Sequence, residues 1–314
     1  MKTRDRIIEL AQVRFNELGY GNVTTASLAT ELGISEGNLW YHFKTKRDLL
    51  EAISERFLVA ITERLTLRPQ KGSDVIEGYI ALISAYQREL LDYRVDAIVT
   101  ASVAMTNELT NLCEAAGIPV VMFNRGQDDP RLSEVTSDNI AGGRAVAQFL
   151  IAGGHHRIAH IAGWQGSSTG RDRARGFRDG LAAQGRTAVA EVDGMYNRDT
   201  AATVAREIFG TPDRPDAVFV GNDHMAFAVM DVLRFELGLR VPEDVSVVGY
   251  DDVPIAAWPV YDLTTIRQPV NRMVSATVEA LLSRIAGEPE ARHIRIPGPL
   301  VLRGSARRPK GFQP

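Results

Sequence analysis

The stretch TTASLATELGISEGNLWYHFKTKRDLL, residues 24–50, predicts two short helices joined by a tight turn. Thr24 and Thr25 are N-cap residues, because a threonine hydroxyl accepts a hydrogen bond from an unpaired backbone N–H. Gly33 ends the first helix, since glycine adopts a positive φ without strain, and Ser35 caps the second. Two such helices followed by cations are typical of a helix-turn-helix motif, whose second helix enters the major groove of DNA.

The second helix and the residues after it carry the side chains that this motif uses. The expected groove-facing residues are Asn38, Trp40, Tyr41 and His42. The cations that precede the first acid are Lys44, Lys46 and Arg47. Cations in the first turn of the following helix oppose its dipole, which is unfavourable unless a phosphate sits there. A solvated helix face explains these charges equally well.

Length and composition limit the class of protein. A chain of 314 residues predicts two or three domains. Because the net charge is −3, any nucleic-acid contact must come from a local basic patch. Cys113 is the single cysteine, which excludes an internal disulfide and fits a reducing compartment. No apolar run is long enough to span a membrane, so we expect a cytoplasmic protein that needs no cofactor.

Apolar periodicity predicts the elements on both sides of this stretch. Helices are expected over residues 4–18 and from Lys46 onward, then a polar break at 67–74 and a helix over 75–93. The predicted strands, buried on both faces, are DAIVTA (96–101), IPVVMF (118–123), RIAHIAG (157–163), DAVFVG (216–221) and VSVVGY (245–250). The helices expected among them lie near 105–116, 139–152, 170–184, 199–209 and 222–237. This alternation predicts parallel sheets with covering helices.

Residues 4–50 resemble the DNA-binding domain of the tetracycline-repressor (TetR) family. The matching features are Gly-Tyr after the first helix, the threonine pair, Gly-Ile-Ser, Gly-Asn-Leu-Trp-Tyr-His-Phe and Lys-x-x-Leu-Leu. The resemblance implies that DNA phosphates are held by Thr25, Tyr41, His42 and Lys46. It implies that the base edges are met by Ser35, Glu36, Gly37, Asn38 and Trp40. Trp40 departs from the Leu or Tyr that the family commonly has there, so packing is its alternative role.

Residues 86–304 resemble the effector-binding core of lactose-repressor (LacI/GalR) regulators, which is related to periplasmic sugar-binding proteins. The resemblance rests on the ordered strings RVDAIV, AGIPVV, SDNIAGG, GGHHRIAHIAG, RDRARGF, FVGNDHMAFAVM, VPEDVSVVGYDD and LTTIRQP. The implied fold class is α + α/β. A three-helix, helix-turn-helix domain precedes two periplasmic-binding-protein-like lobes of parallel sheet.

The two resemblances predict three parts and one departure from the second family. The parts are a DNA-binding head over 1–66, a linker and connecting helix over 67–93, and an effector-binding domain over 94–314. The LacI/GalR core opens with a strand–helix–strand unit, and here only the connecting helix precedes DAIVTA. The truncated N-terminal lobe is therefore expected to lack two strands, which leaves DAIVTA at a sheet edge. Either a partner chain or helix 75–93 completes the lobe, or effector binding is impaired.

Effector-binding candidates follow predicted strands, because open α/β sheets bind ligands beyond the carboxyl ends of their strands. Arg173 matches the family's effector-holding arginine, a bidentate donor to ligand hydroxyls or a carboxylate. Arg171 and Arg175 are expected in solvent. Asn222 and Asp251 match positions that bond a polyol or a base, although Asn222 also suits a helix cap.

Two further candidates have an equally ordinary structural role. Tyr196 sits where an aromatic ring often stacks on the ligand in this family, and its alternative is packing between the lobes. Asp138 resembles the residue that the N-terminal lobe contributes, and its alternative is the cap of helix 139–152.

Catalytic and metal-binding patterns are weak. His155, His156 and His160 do not share a helix face as a zinc-binding H-E-x-x-H pair does. Adjacent acids such as Asp251 and Asp252 cannot flank a scissile bond. We therefore expect a ligand-responsive regulator, acting as a homodimer on double-stranded operator DNA with a small polar effector, a sugar or nucleoside. The rival interpretations are a sensor that no longer binds an operator, a sugar-acting enzyme, or a poorly functional product of the shortened lobe.

Overall fold

The computed structural model describes residues 2–65, 95–102, 105 and 107–309. The chain divides into two compact units, residues 1–98 with 105–119 and residues 99–104 with 120–314. The helices of the first unit are α1 (Thr3–Leu18), α2 (Thr25–Leu32), α3 (Glu36–His42), α4 (Lys46–Leu65) and α5 (Asn107–Ala115), with a 3-10 turn at Tyr20–Asn22. We call residues 2–65 the head. The predicted linker 67–74 and helix 75–93 lie outside the described residues.

Side-chain caps fix the helices of the head. Thr24 Oγ1 accepts from the Ser27 N–H at 3.0 Å, and Ser27 Oγ accepts from the Thr24 N–H at 3.1 Å. This pair is a reciprocal capping box. Gly33 closes α2 with a φ of 66°, and Ser35 Oγ accepts from the Asn38 N–H at 3.2 Å to start α3. The predicted caps at Thr24 and Ser35 and the stop at Gly33 are confirmed, whereas Thr25 is the first residue of α2.

One apolar core holds these helices together. Its buried members are Ile7, Ile8, Ala11, Val23, Leu28, Ala29, Leu39, Phe43, Leu49 and Ala52. Leu39 is the buried anchor of α3, with no exposed surface. Because a seven-residue helix can bury only one side, the other side of α3 is presented to solvent.

The second unit contains two lobes, each with its own sheet. The N-terminal lobe has β1 (Ile98–Ala101), β2 (Val120–Phe123), β3 (Ser133–Ser137) and β9 (His293–Ile296), in the order β1-β2-β3-β9. The sheet is covered by α10 (Val270–Ile285), whose Met273 and Ala280 pack against Val121 of β2 and Val135 of β3. Within the described residues, β1 forms one end of this sheet.

The C-terminal lobe has a six-stranded sheet in the order β10-β8-β7-β6-β4-β5. Its strands are β4 (Ile158–Ala162), β5 (Ala190–Asp193), β6 (Ala217–Val220), β7 (Ser246–Asp251), β8 (Thr264–Arg267) and β10 (Leu300–Val301). Its helices are α6 (Asn139–Ala152), α7 (Ser168–Ala182), α8 (Arg198–Phe209) and α9 (Asp223–Asp231), with a π-helical turn at Val232–Glu236. Pairing is parallel except at β10, which joins β8 antiparallel.

In the part of the chain that the structure describes, the backbone passes between the lobes at three places. These are the short links from β3 to α6, from β8 to α10 and from β9 to β10. Each lobe is therefore assembled from segments that are distant in the sequence.

The predicted strands and helices that fall within the described residues are present, with one error in burial. β4 and β6 are buried along their whole length, as predicted. The prediction that DAIVTA is buried on both faces is wrong, because Val99 and Ala101 of β1 are exposed. Its side chains alternate, since β1 pairs only with β2 within the described residues and α10 packs over β2, β3 and β9.

Candidate nucleic-acid interface and effector site

Most residues predicted to read base edges lie on the solvent side of α3. Glu36, Gly37, Asn38 and Trp40 are exposed, and Tyr41, predicted to hold a phosphate, is 78% exposed. Trp40 is 52% exposed, which favours an outward role over packing in the head core. Together these side chains make a convex surface on a helix that Leu39 anchors from below.

Phosphate-binding candidates lie around this surface. Thr25 and His42 are half-buried at the start of α2 and the end of α3. The Lys46 ammonium lies 4.1 Å from the centroid of the Tyr20 ring and 3.5 Å from the Gly21 carbonyl oxygen. An ammonium has three donors, so Lys46 is positioned by Tyr20 and Gly21 and retains donors for a phosphate.

The first turn of α4 has a cap that the sequence analysis missed. Thr45 Oγ1 accepts from the Asp48 N–H at 3.1 Å, and an Asp48 carboxylate oxygen accepts from the Thr45 N–H at 2.9 Å. Arg47 pairs with Glu51 one turn later. These contacts offset the unfavourable placement of cations against the helix dipole.

In the second unit, Arg173 is the centre of the predicted effector site. It projects from α7 and is only 3% exposed. Its Nε donates to Asn139 Oδ1 at 2.9 Å, Nη1 to the Gly221 carbonyl at 2.7 Å and Nη2 to Asp251 Oδ1 at 3.0 Å. The guanidinium carbon lies 3.7 Å from the centroid of the Tyr250 ring. Arg173 thus joins the start of α6, the end of β6 and the end of β7.

Electrostatics keep this guanidinium charged. Burial alone acts to lower the pKa of Arg173, but the nearby Asp251, Tyr196 and Tyr250 outweigh it and raise the pKa overall. A buried arginine that is paired in this way is a fixed cation with defined donor directions.

Gln268 is a member of this network that the sequence analysis did not identify. Its Nε2 donates to Asp251 Oδ1 at 2.6 Å, and its backbone N–H donates to the Asp251 carbonyl at 3.2 Å. Asp251 Oδ1 therefore accepts from both Gln268 and Arg173. Gln268 lies on the link from β8 to α10. The string LTTIRQP, already quoted for the family resemblance, was the sequence feature that could have identified it.

Asn222 and Asp138 both act as helix caps. Asn222 Oδ1 accepts from the Met225 N–H at 2.9 Å at the start of α9. Asp138 Oδ1 accepts from the Ala141 N–H at 2.9 Å at the start of α6. Both side chains are half-buried, so capping leaves Asn222 Nδ2 and Asp138 Oδ2 at the ends of the strands that precede them.

Tyr196 occupies a tightly packed turn after β5. Its φ is 54°, and its ring lies so close to Gly163 that an added Cβ there would meet a ring carbon at 2.1 Å. The hydroxyl donates to Thr169 Oγ1 at 3.3 Å. The Arg125 guanidinium carbon, from the N-terminal lobe, is 5.9 Å from the ring centroid. Tyr196 therefore has contacts in both lobes.

The backbone at this edge of the sheets is unusual. Positive φ angles occur at six non-glycine residues that end strands or follow them closely: Ser102, Asn124, Met195, Tyr196, Asp251 and Asp252. Such conformations cost about 1–3 kcal/mol each and concentrate at ligand sites. They mark the carboxyl ends of β1, β2, β5 and β7 as a preformed rim.

Asp223 is a buried acid beneath this rim. It is completely buried, and its carboxylate accepts from Thr265 Oγ1 at 2.6 Å and from the Val253 N–H at 2.9 Å. Burial, followed by the nearby Asp251, raises the pKa of Asp223 to about 7.

The residues considered for metal binding or catalysis are in structural positions. His160 is buried in β4 and stacks on Phe219 with a centroid distance of 4.9 Å. Asp252 holds Arg267 and Arg303 in ion pairs. Among the described residues, no three His, Cys, Asp or Glu side chains are grouped as a metal site would require. In the same part of the chain, no helix is both long and apolar enough to cross a bilayer.

Comparisons with known proteins bear on both units. Residues 147–306 match the family model described as a periplasmic binding protein-like domain. Residues 7–53 match the model for bacterial regulatory proteins of the tetR family. A helix-turn-helix head joined to a two-lobe binding core defines a ligand-responsive, DNA-binding transcriptional regulator.

Individual relatives narrow this class. The chain is 30% identical over 235 residues to the HTH-type transcriptional repressor PurR of Photobacterium profundum, covering 74% of this chain and 70% of the relative. The chain therefore belongs to the LacI-type family of transcriptional regulators, with a TetR-type head, which confirms both resemblances. These relatives are regulators and not enzymes, as expected.

Solved structures give the same fold. The transcriptional regulator CelR in complex with cellobiose has a TM-score of 0.66 at 26% identity, covering 90% of this chain and 100% of that one. The Lac repressor dimer bound to operator and the anti-inducer ONPF also has a TM-score of 0.66, at 25% identity, covering 80% of this chain and 88% of that one.

Proposed function

We propose that this regulator is a homodimer whose two heads bind a near-palindromic operator and whose second unit binds a small polar effector between its lobes. The observation that carries the DNA-binding part is α3, a helix anchored by buried Leu39 with Asn38, Trp40 and Tyr41 exposed. The fixed arginine network around Arg173 carries the effector part.

On DNA, the two groups of head residues have different tasks. Phosphate contacts from Thr25, Tyr41, His42 and Lys46 set affinity and orientation, because they are blind to sequence. Base edges are read by the outer row of α3, where the Asn38 amide suits the donor and acceptor pair of adenine. Two heads related by a two-fold axis then read half-sites about one helical turn apart.

The effector site offers complementary donors and acceptors. Arginine has five N–H groups, and Arg173 uses three of them within the described residues. One N–H on each Nη is left, and the Oδ2 atom of the paired Asp251 accepts from no described residue. A vicinal diol or a base edge fits such a pair of donors next to an acceptor. Sugars carry vicinal diols, and the ligand in the CelR complex is a sugar, cellobiose.

Binding of the effector between the lobes favours one lobe arrangement over another. The regulator responds because the effector has different affinity for the two arrangements, and the same free energy difference changes the affinity for DNA. The effector either releases the regulator from DNA or recruits it. An operator titration with and without effector distinguishes the two responses.

Operator selection from random duplex tests the DNA part. Asn38→Ala should keep non-specific binding and lower the preference for the selected site by about tenfold or more, the value of one good base contact. Arg56→Ala, which removes a head cation paired with Glu9, is the control and should leave the preference unchanged. A wild-type protein with no preference over random duplex at moderate salt would contradict operator binding.

Thermal shifts with cellobiose, ribose and adenosine test the effector part. Arg173→Ala should abolish the ligand-induced rise in Tm, measured from the variant's own baseline, because the variant itself is less stable when Asp251 loses its partner. Arg175→Ala is the matched control, since the Arg175 side chain is 68% exposed on the same helix. An equal shift in Arg173→Ala would remove Arg173 from the site.

A further inference from the structure

The segment that follows β2 reaches from the N-terminal lobe to the C-terminal lobe. We call residues 125–128 the strap. The Arg125 guanidinium carbon lies 5.9 Å from the centroid of the Tyr196 ring, in the turn after β5. The Gly126 N–H donates to Ser168 Oγ, on the first residue of α7, at 3.0 Å. The inner half of the strap therefore has two contacts on the opposite lobe.

An ion pair at the outer end of the strap is the third contact. Arg171 Nη2 donates to Asp128 Oδ2 at 2.7 Å. Arg171 was expected in solvent, but it is tied across the cleft, with its side chain 47% exposed. An ion pair at the surface contributes little by itself. Ser168 and Arg171 are three residues apart and share one side of α7, so the strap bonds to α7 at two neighbouring points.

The strap is held in shape by its own lobe. Asn124 and Asp128 have φ angles of 71° and 55°, so the backbone is bent at both ends of the segment. The Glu134 carboxylate of β3 packs against Gly126, and Glu134 Oε1 lies 3.3 Å from His293 Nδ1 of β9. A segment that is already shaped loses little conformational entropy when it meets the other lobe.

We infer that the strap is a latch between the lobes, which favours the described lobe arrangement through contacts between protein groups alone. Because no contact of the strap involves an effector atom, the latch acts whether or not an effector is bound. An effector that binds between the same lobes acts on the same equilibrium, so the strap sets the balance from which the effector starts. The inference deepens the proposed function and rests on it, since it names a contact that sets the resting state of the regulator.

Double electron–electron resonance between one spin label on each lobe tests the latch. The labels are placed at Glu279→Cys on α10 and Asp199→Cys on α8, two exposed positions away from the strap. Cys113 is buried and stays unlabelled. The full chain is measured without DNA and without effector, and it is mixed with an excess of unlabelled chain so that only distances within one chain are read.

The double variant Ser168→Ala with Arg171→Ala removes both bonds of α7 to the strap. It should raise the ratio of the longer to the shorter inter-lobe distance about tenfold, because a hydrogen bond and an ion pair that favour the shorter one are lost. Ser167, and not Ser168, caps α7, so the helix is unaffected. Arg175→Ala is the matched control, since Arg175 pairs with Asp179 on the same helix, and it should match the wild type.

The outcomes separate the latch from the proposed function. A double variant with the distance distribution of the control, or a wild type in which the longer distance predominates, overturns the latch and leaves the operator and effector tests standing. A shifted distribution in a chain that selects no operator supports the latch and contradicts DNA binding alone. Asp128→Ala repeats the measurement from the side of the strap and should shift the distances in the same direction as the double variant.

Discussion

Asp223 shows how single residues set conditions for the whole binding edge. Its carboxyl group is held by the Thr265 hydroxyl and the Val253 N–H, below the strand end that carries Asp251. A charged carboxylate in this place is unfavourable because burial and the neighbouring acid both oppose it. The fold therefore favours the protonated acid over a range of pH in which an exposed aspartate is ionised.

The contribution of Asp223 to the free energy of unfolding should fall as the pH rises from about 4 to about 7. In this window the unfolded Asp223 is ionised while the folded one, with a pKa of about 7, holds its proton. The loss is on the order of 4 kcal/mol when complete. Asp223→Asn should remove this part of the pH dependence, so that urea titrations show the variant more stable than the wild type at pH 8, relative to pH 4.

Asp199→Asn, at an exposed position in α8, is the control for that experiment and should follow the wild type at each pH. If Asp223→Asn and the wild type lose stability in parallel as the pH rises, Asp223 is ionised in the folded protein and the assigned pKa is wrong.

At the scale of elements, the head depends on its caps. α2 has only eight residues, and an isolated helix of that length is unstable in water. The reciprocal bonds between Thr24 and Ser27 therefore contribute a large share of what keeps α2 in place below α3.

Thr24→Ala should destabilise the head by about 1 kcal/mol, the usual cost of losing an N-cap. Faster hydrogen exchange of the Ser27 amide and its neighbours in α2 is the measurement. Thr30→Ala removes an exposed hydroxyl that, among the described residues, donates to the Ala26 carbonyl alone, and it should leave exchange in α2 nearly unchanged. Equal effects of the two substitutions would contradict a special role for the cap.

The elements that the sequence predicted best are those with local signals. Thr24, Gly33 and Ser35 delimit α2 and α3 through bonds within a few residues, and the strands buried along their whole length are continuous apolar runs. Five strands were missed: β3, β5, β8 and β9, because SEVTS, AEVD, TTIR and HIRI are short and contain polar side chains, and β10, because it has only two residues. The site was predicted in part: Arg173 and Asp251 stand in recognisable strings. The link from Gln268 to Asp251 depends on the parallel pairing of β7 with β8, which brings the ends of two strands together and is not readable from either strand alone.

At the scale of the whole molecule, a chain with a net charge of −3 must bind DNA through a local basic patch, and the DNA-binding candidates all lie in the head. Most of the affinity then comes from a few phosphate contacts, each of which releases counterions and contributes about 0.9 to the slope of log K against log salt.

Lys46→Met should lower the magnitude of this slope by about 1 for each head bound, and should weaken binding to all sequences alike. Fluorescence anisotropy from about 50 to about 200 mM salt is the measurement. Arg56→Met, a head cation paired with Glu9, should not change the slope. An unchanged slope in Lys46→Met would show that the Lys46 ammonium, held by Tyr20 and Gly21, does not contact a DNA phosphate.

The positive φ angles at the strand ends have a consequence for how new ligand specificities arise. Asparagine and aspartate tolerate that backbone region, whereas β-branched side chains do not, so Asn124 and Asp251 can exchange with few residue types before the chain must refold locally. Asn222 and Asp138 have negative φ angles and are not restricted in this way. Descendants of this regulator should therefore change slowly at Asn124 and Asp251 and diversify at the positions with negative φ angles.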